Sequence, residues 1–130
     1  MVDVIIPVFN AFEDLERCLA SVERHRDGAE FRLILVNDAS TDARIAPLLE
    51  RLQQQPWTDT LVLTNERNLG FVQTVNRAMA LGTADVVLLN SDTLVTAGWL
   101  AQLLACAAAD PQIATVTPFT NNGEICSYPV

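Results

Sequence analysis

Short runs of apolar, often β-branched residues alternate along this chain with longer segments whose apolar residues recur at helical spacing. The first run is Val2–Val8 and the second is Phe31–Val36. Short, nearly continuous runs of this kind are typical of strands that are buried on both faces of a parallel sheet. Further runs at 60–65, 84–90 and 113–118 continue the series. The pattern therefore predicts five strands.

Four segments between these runs have the periodicity of amphipathic helices. The first begins at Asn10, with Glu13 three residues later, and this spacing predicts a capping box at the start of the helix. The second ends before Pro56, the third follows Gly70, and the fourth covers 97–109. The apolar positions that define the four helices are Phe12, Leu15, Cys18, Leu19 and Val22; Ile45, Leu48, Leu49 and Leu52; Phe71, Val72, Val75, Ala78 and Met79; and Trp99, Leu100, Leu103, Leu104 and Ala107.

Strands that alternate with helices form right-handed βαβ units. We therefore expect a single α/β domain over residues 1–130, with a three-layer, open, mainly parallel sheet and helices on both faces. The tail after the fifth predicted strand contains Asn122-Gly123, a turn pair, and no further helical pattern. We therefore expect the domain to be incomplete at its C-terminus.

Polar side chains follow the end of each of the first four predicted strands. They are PVFN at 7–10, VNDASTD at 36–42, NERNLG at 65–70 and NSDT at 90–93. The loops at the opposite ends of the strands are ordinary connections. Ligands of doubly wound sheets bind beyond the carboxyl ends of the strands. Four polar clusters on that one rim therefore predict a binding site there.

The NSDT segment admits two interpretations. Asp92 offers a hard oxygen ligand to Mg²⁺ or Mn²⁺, ions that proteins often hold with one or two carboxylates together with substrate phosphates. Alternatively, Asn90–Asp92 forms an Asx turn, in which a side-chain oxygen accepts a backbone N–H and ends the strand. These residues alone favour neither interpretation, and the other clusters on the rim favour the metal site.

The other rim clusters supply candidate ligands for a nucleotide. Asp38 can accept the N–H of a pyrimidine or guanine base, although it can also cap the helix that follows. Arg67 can contact a base carbonyl or a phosphate oxygen, or it can be a solvated loop arginine. Asn68 and Gly70 favour a tight turn with a close backbone approach.

Composition and charge argue against several classes of protein. A chain of 130 residues that is 50% hydrophobic can bury the core of one domain. Its 16 acidic and 8 basic residues give a net charge of −8, which argues against a nucleic-acid partner, because phosphate contacts need clustered basic residues. No apolar run approaches the ~20 residues that cross a bilayer. We expect a cytoplasmic protein without a transmembrane segment.

The spacing of the cysteines and the absence of the common phosphate-binding motifs argue against further kinds of site. Cys18, Cys106 and Cys126 form no CxxC pair, which argues against a cysteine zinc site and favours reduced thiols. There is no G-x-G-x-x-G after the first strand and no G-x-x-x-x-G-K-[ST], which argues against a dinucleotide fold and a P-loop. The first strand is also followed neither by the acidic pair of a receiver domain nor by the glycine-rich basic loop of a nucleotidyltransferase.

In their order and spacing, these motifs resemble the family 2 glycosyltransferases of the GT-A fold. The similar segments are VIIPVFN, like the opening strand of the family; LVNDASTD, like its V-D-D-G-S-T-D segment; NERNLGFVQTVNRAM, like its N-x-G…N-x-G segment; and ADVVLLNSDT, like the strand that ends in its D-x-D metal motif. Asn37, Ala39 and Asn90 depart from the family pattern, which commonly has Asp, Gly and Asp there. The inferred metal ligand is then Asp92 alone.

The resemblance implies an enzyme that transfers a hexosyl group, with inversion, from a UDP-, dTDP- or GDP-sugar to a hydroxyl group of a saccharide or lipid-linked acceptor. It implies a divalent cation, Mg²⁺ or Mn²⁺, bound by Asp92. The nucleotide-sugar contacts that it implies, together with the rim analysis, are Pro7, Val8, Asn10, Asp38, Arg67, Gly70, Asn90 and Asp92.

In such enzymes the acceptor-binding half, which carries the general base, follows the metal motif. We therefore expect this chain to be the donor-binding half, without an assignable catalytic residue and inactive alone. Exposed apolar surface would then favour self-association. The full-length protein would be peripheral to the inner face of the membrane. The alternative from another class is a non-catalytic nucleotide-sugar-binding or interaction module on the same fold.

Overall fold

The structure is a computed structural model, and it describes residues 1–118. Four strands alternate with four helices: β1 (Val2–Val8), α1 (Phe12–Arg24), β2 (Phe31–Asn37), α2 (Ile45–Gln54), β3 (Asp59–Thr64), α3 (Phe71–Met79), β4 (Asp85–Leu88) and α4 (Trp99–Ala108). The first four predicted strands and all four predicted helices are present. None of the helices in residues 1–118 is long and apolar enough to cross a membrane.

The four strands form one parallel sheet in the order β3-β2-β1-β4. β1 pairs with β2 along its whole length, with Val2 opposite Phe31 and Val8 opposite Asn37. β4 pairs only with the first part of β1, Val2–Ile5. The chain first builds the sheet outward through β2 and β3 and then returns to the other side of β1. The strand order therefore reverses between β1 and β4, which is the switch point where such sheets open a crevice.

Helices cover both faces of the sheet, and alternate residues of each strand point to opposite faces. On one face, residues of α1, α2 and α4 pack on alternate residues of β1 and β2, including the fully buried Val4 and Leu33. On the other face, Ala78 of α3 packs against Ile5 and Ile34. The predicted three-layer α/β fold is confirmed.

The predicted fifth strand at 113–118 is wrong. None of these residues lies in a strand, and most of them are exposed. The β-branched residues of this segment favour a strand only where they can pack on a half-buried sheet surface, because their strand preference is not an intrinsic property of the backbone. No residue of this segment pairs with β4, which is an edge strand of only four residues. The Asn122-Gly123 turn and Cys126 lie outside the described residues.

The predicted capping box at the start of α1 is also wrong. The N-cap is Ala11, in a left-handed conformation (φ 51°, ψ 51°) and without a side-chain cap. A capping box needs an N-cap residue with extended backbone angles. Asn10 also has a positive φ of 54°. Its side-chain Oδ1 accepts the backbone N–H groups of Thr41 and Asp42 (2.8 and 2.9 Å), and Glu13 forms an ion pair with Arg44.

Candidate functional site

A cavity of about 470 Å³ opens at the switch point, beyond the carboxyl ends of β1 and β4. Its volume lies within the range of small-molecule sites, about 300–1,000 Å³. Residues from all four predicted rim clusters or their flanks line it: Pro7, Val8, Phe9, Ala11, Asp14, Asp38, Asn68, Gly70, Phe71, Thr74, Asn90, Ser91 and Asp92. The polar strand ends thus meet in one place.

The cavity brings together most of the residues that the sequence assigned to nucleotide-sugar binding. These are Pro7, Val8, Asp38, Gly70, Asn90 and Asp92. The lining does not include Asn10, whose side chain holds the β2–α2 loop, or Arg67, which is exposed on the β3–α3 loop. Contact of these residues with a ligand stays a prediction.

Pro7 has a physical role in opening the cavity. Proline donates no ladder hydrogen bond, so it is unusual in a central strand. β1 is central, but its pairing with β4 ends at Ile5, opposite Leu88. Pro7 therefore lies past the point where β4 leaves the sheet. The two strands separate there, and Pro7 lines the cavity that opens between them.

The Asn90–Thr93 turn closes through its backbone. The Thr93 N–H donates to the Asn90 carbonyl at 3.0 Å. Within residues 1–118, no side-chain oxygen of Asn90, Ser91 or Asp92 accepts a hydrogen bond, so the turn is not an Asx turn. These three side chains line the cavity and remain available to a ligand.

A buried thiol lies beneath this turn. The Cys18 Sγ atom donates to the Asn90 carbonyl at 3.7 Å. Burial raises the pKa of Cys18 to about 12; the charge of Asp92 adds to the increase, and a hydrogen bond from the Thr93 backbone partly opposes it. The thiol is therefore protonated, and able to donate, at neutral pH.

Asp38 is 4% exposed, and its carboxylate organises the loop between β3 and α3. Oδ1 accepts the Leu69 N–H at 2.7 Å and the Asn65 side-chain amide at 2.9 Å, and Oδ2 accepts the Gly70 N–H at 3.0 Å. Gly70 adopts a φ of 85°, which a residue with a side chain rarely does. Asp38 therefore shapes the cavity wall, and its contact with a base stays a prediction.

These hydrogen bonds also determine the charge of Asp38. Burial alone raises the pKa of this carboxyl group. Hydrogen bonds from Leu69, Asn65, Gly70 and Thr74 together outweigh burial and hold the pKa below its ordinary value. Asp38 is therefore a carboxylate at neutral pH.

Two of the departures from the family pattern lie next to Asp38. The Asn37 side-chain Oδ1 accepts the Ser40 N–H at 3.0 Å, so an amide closes this turn where the family commonly has a carboxylate. Ala39 has a φ of 57°. Its left-handed conformation explains why a glycine suits this position.

The sequence interpretation missed several lining residues, above all two aromatic ones. Phe9 is 49% exposed, and Phe71 is 53% exposed. Phe71 and Val72 were expected on the buried side of the third helix, but both are exposed in the first turn of α3, whose buried residues are Thr74, Val75 and Ala78. The available signal was position: Phe71 directly follows Gly70 on the predicted rim.

The cavity has an acidic lining. It contains Asp14, Asp38 and Asp92, and none of the arginines in residues 1–118 lines it. These carboxylates repel a diphosphate group, and a cation that accompanied it would offset the repulsion.

The oxygen atoms near Asp92 could hold such a cation only if phosphate oxygens of the bound ligand completed its coordination. The described residues hold no group of three or more His, Cys, Asp or Glu side chains that could bind a metal. Asn90, Ser91 and Asp92 all line the cavity, and their amide, hydroxyl and carboxylate oxygens are hard ligands. This set suits Mg²⁺ or Mn²⁺ that also binds substrate phosphates.

Comparison with known proteins gives a match over nearly the whole chain. Residues 3–129 match the model of glycosyl transferase family 2. An uncharacterised protein of Mycobacterium tuberculosis, MT1568, is 28% identical over 116 residues, which cover 87% of this chain and 34% of that protein.

Solved structures share the fold. A mannosyltransferase of Pyrobaculum calidifontis in complex with GDP-Man and Mn²⁺ superimposes with a TM-score of 0.76 at 24% identity, over 86% of this chain and 33% of that one. Staphylococcus aureus TarS in complex with UDP-GlcNAc gives 0.71 at 23% identity, over 82% and 31%. GalNAc-T7 with UDP, GalNAc and Mn²⁺ gives 0.67 at 25% identity, over 85% and 21%. The chain spans about a third or less of the length of these relatives.

Proposed function

The chain belongs to glycosyl transferase family 2, and from that membership we propose that it is the donor-binding half of an inverting hexosyltransferase. Its ligand is a nucleotide-diphospho-sugar with UDP, dTDP or GDP as the nucleotide. The ligand lies in the switch-point cavity, with its diphosphate beside Asn90–Asp92. The acceptor is a hydroxyl group of a saccharide or a lipid-linked sugar.

The observation that carries this proposal is the contrast between two carboxylates that line the cavity. Asp38 is buried and its oxygens are occupied by loop donors, whereas Asp92 is exposed and makes no hydrogen bond among the described residues. An unpaired carboxylate at the switch point is available for a ligand. A cation on Asp92 would supply positive charge to a departing diphosphate.

The aromatic lining supports a nucleotide as the ligand. Phe9 and Phe71 line the cavity, and each exposes about half of its surface. A flat apolar face suits stacking of a base, an arrangement that aromatic pairs prefer in an offset geometry. The cavity therefore offers a surface for the base as well as an oxygen-rich end for the phosphates.

The carboxylates that line the cavity support the proposal that this chain binds a donor sugar without transferring it. Inverting transfer needs a general base that takes the proton of the acceptor hydroxyl while that oxygen attacks the anomeric carbon and the nucleoside diphosphate leaves. Asp38 is occupied, Asp14 pairs with Arg17, and Asp92 is assigned to the cation. No carboxylate that lines the cavity in residues 1–118 is left to act as a base. We therefore expect the chain to bind a donor sugar and not to consume it.

Calorimetric titration tests the proposal. UDP, dTDP and GDP are titrated separately into the folded chain, with Mn²⁺ and with a chelator. We expect at least one nucleotide to bind, and to bind more tightly with Mn²⁺. Absence of heat with all three nucleotides, for a sample whose circular dichroism shows the folded state, would contradict the proposal. Consumption of a UDP-sugar by the pure chain would contradict the assignment of binding without transfer.

A further inference from the structure

Two residues of α1, Cys18 and Ser21, contact the chain on both sides of Asp92. They lie three residues apart, so they share one face of the helix, and both are buried. The Ser21 hydroxyl donates to the Cys18 carbonyl at 2.7 Å and accepts the Val95 N–H at 3.1 Å. The Cys18 thiol donates to the Asn90 carbonyl at 3.7 Å.

These contacts hold a segment that the sheet no longer holds. β4 ends at Leu88, and the last bond to its neighbour runs from the Leu89 N–H to the Ile5 carbonyl at 2.9 Å. Beyond it, the turn has its own Thr93–Asn90 bond but no ladder partner. Cys18 supports the start of the turn, and Ser21 supports its exit at Val95, whose side chain is buried in the core.

We infer that Cys18 and Ser21 are positioning residues that fix the Asn90–Thr93 turn so that Asp92 faces the cavity. The inference deepens the proposed function and rests on it, because it is the cation-binding role of Asp92 that makes the position of the turn matter. A ligand carboxylate must be oriented by the groups around it, and loss of such outer contacts typically lowers metal affinity by about 10–100-fold.

Ser21→Ala is the first test. It removes the acceptor of the Val95 N–H, so we expect faster amide hydrogen exchange at Val95 and Thr93. We also expect the gain in nucleotide affinity that Mn²⁺ provides to fall by about tenfold. The nucleotide affinity measured in chelator should not change, because Pro7, Asp38 and Phe71 keep their places. The probe is whichever of UDP, dTDP and GDP the wild-type chain binds.

Cys18→Ala is the second variant, which serves if Ser21→Ala does not fold. It removes the thiol contact but leaves the Asn90 carbonyl paired with the Thr93 N–H. The matched control is Thr58→Ala. The Thr58 hydroxyl also donates to a backbone carbonyl, that of Phe31 at 3.0 Å, but at the amino ends of the strands. The control should lower thermal stability without a change in the Mn²⁺-dependent affinity.

Several results would overturn the inference while the proposed function stands. They are unchanged exchange at the turn, an unchanged Mn²⁺-dependent gain in both variants, or an equal loss of affinity with Mn²⁺ and with chelator. In an Asp92→Ala background, Ser21→Ala should cause no further loss of the Mn²⁺-dependent gain, and a further loss would also overturn it. Absence of nucleotide binding by the wild-type chain is a separate result: it contradicts the proposed function and removes the inference with it.

Discussion

At the residue scale, carboxylates on one rim of the sheet have opposite surroundings. Asp38 accepts hydrogen bonds from Leu69, Gly70 and Asn65, whereas Asp92 has no such partner among the described residues. A carboxylate that accepts several N–H groups is part of the structure, since the loop donors would be unpaired without it. A carboxylate that is left free at a cavity is available for a ligand.

Asp38→Asn replaces one acceptor oxygen with an amide group that cannot accept the N–H of Leu69 or Gly70. Hydrogen bonds to charged groups contribute about 1.5–3 kcal/mol, so we expect a comparable loss in the free energy of unfolding. Urea denaturation measures it, with Glu66→Gln on the exposed part of the same loop as the control. A loss no larger than that of the control would contradict the structural role of Asp38.

The dependence of the free energy of unfolding on acidic pH tests the same structural role of Asp38. The pKa of Asp38 is lower in the folded state than in the unfolded state. Its carboxylate therefore stabilises the fold above the ordinary pKa of about 3.9, and this contribution is lost as the pH falls through the folded pKa. The stability of Asp38→Asn should fall less steeply in that range than the stability of the wild-type chain. Parallel curves would show that Asp38 does not contribute.

Ala39→Gly should stabilise the protein. Ala39 has a φ of 57°, and the left-handed conformation costs a residue with a Cβ atom roughly 1–2 kcal/mol. Glycine removes that cost but adds about 0.5–1 kcal/mol of unfolded-state entropy, so we expect a net gain of up to about 1.5 kcal/mol in the free energy of unfolding. Ala20→Gly, in the exposed middle of α1, should instead cost about 1 kcal/mol. Equal losses for the two variants would refute the assigned backbone strain.

At the element scale, the apolar pattern predicted the strands and helices that the core contains, because the same burial produces both the pattern and the element. It could not predict the start of α1. Asn10 and Glu13 have the right identity and spacing for a capping box, but two successive positive φ angles direct Asn10 to the neighbouring loop. It also could not exclude a strand at 113–118, because strand formation depends on a partner outside the segment.

The contact between α1 and the turn after β4 predicts a pH dependence of stability. The pKa of Cys18 is raised to about 12 in the folded state, mainly by burial. Between the ordinary thiol pKa of about 8.5 and the folded value, the unfolded chain loses its proton first, so stability should fall by roughly 1.4 kcal/mol per pH unit. Denaturation across this range compares the wild-type chain with Cys18→Ala. The variant should lack this part of the decline, and an identical decline in both proteins would contradict the buried position of the thiol.

At the scale of the whole molecule, the strand order determines where the cavity lies. The sheet reverses between β1 and β4, β4 leaves the sheet early, and Pro7 lines the resulting crevice. The rim was predictable, because the carboxyl ends of parallel strands share one edge of the sheet. The division of roles among its residues was not, because it depends on which donors reach Asp38 and which do not reach Asp92.

The net charge of −8 and the acidic lining of the cavity both disfavour a diphosphate that binds without a cation. All 8 basic residues are arginines, and in residues 1–118 none of them lines the cavity. We therefore expect a cation to strengthen the binding of a diphosphate in this cavity, and we propose Asp92 as the carboxylate that holds it.

The most direct test of this claim is the Mn²⁺ dependence of nucleoside diphosphate affinity in Asp92→Ala, measured by calorimetry beside the wild-type chain and an Asp110→Ala control. A charge-assisted contact of about 1.5–3 kcal/mol corresponds to roughly a tenfold to hundredfold gain in affinity from Mn²⁺. We expect that gain in the wild-type chain and in Asp110→Ala, and its loss in Asp92→Ala, with the affinity in chelator retained. An undiminished gain from Mn²⁺ in Asp92→Ala would contradict the assignment of the cation to Asp92.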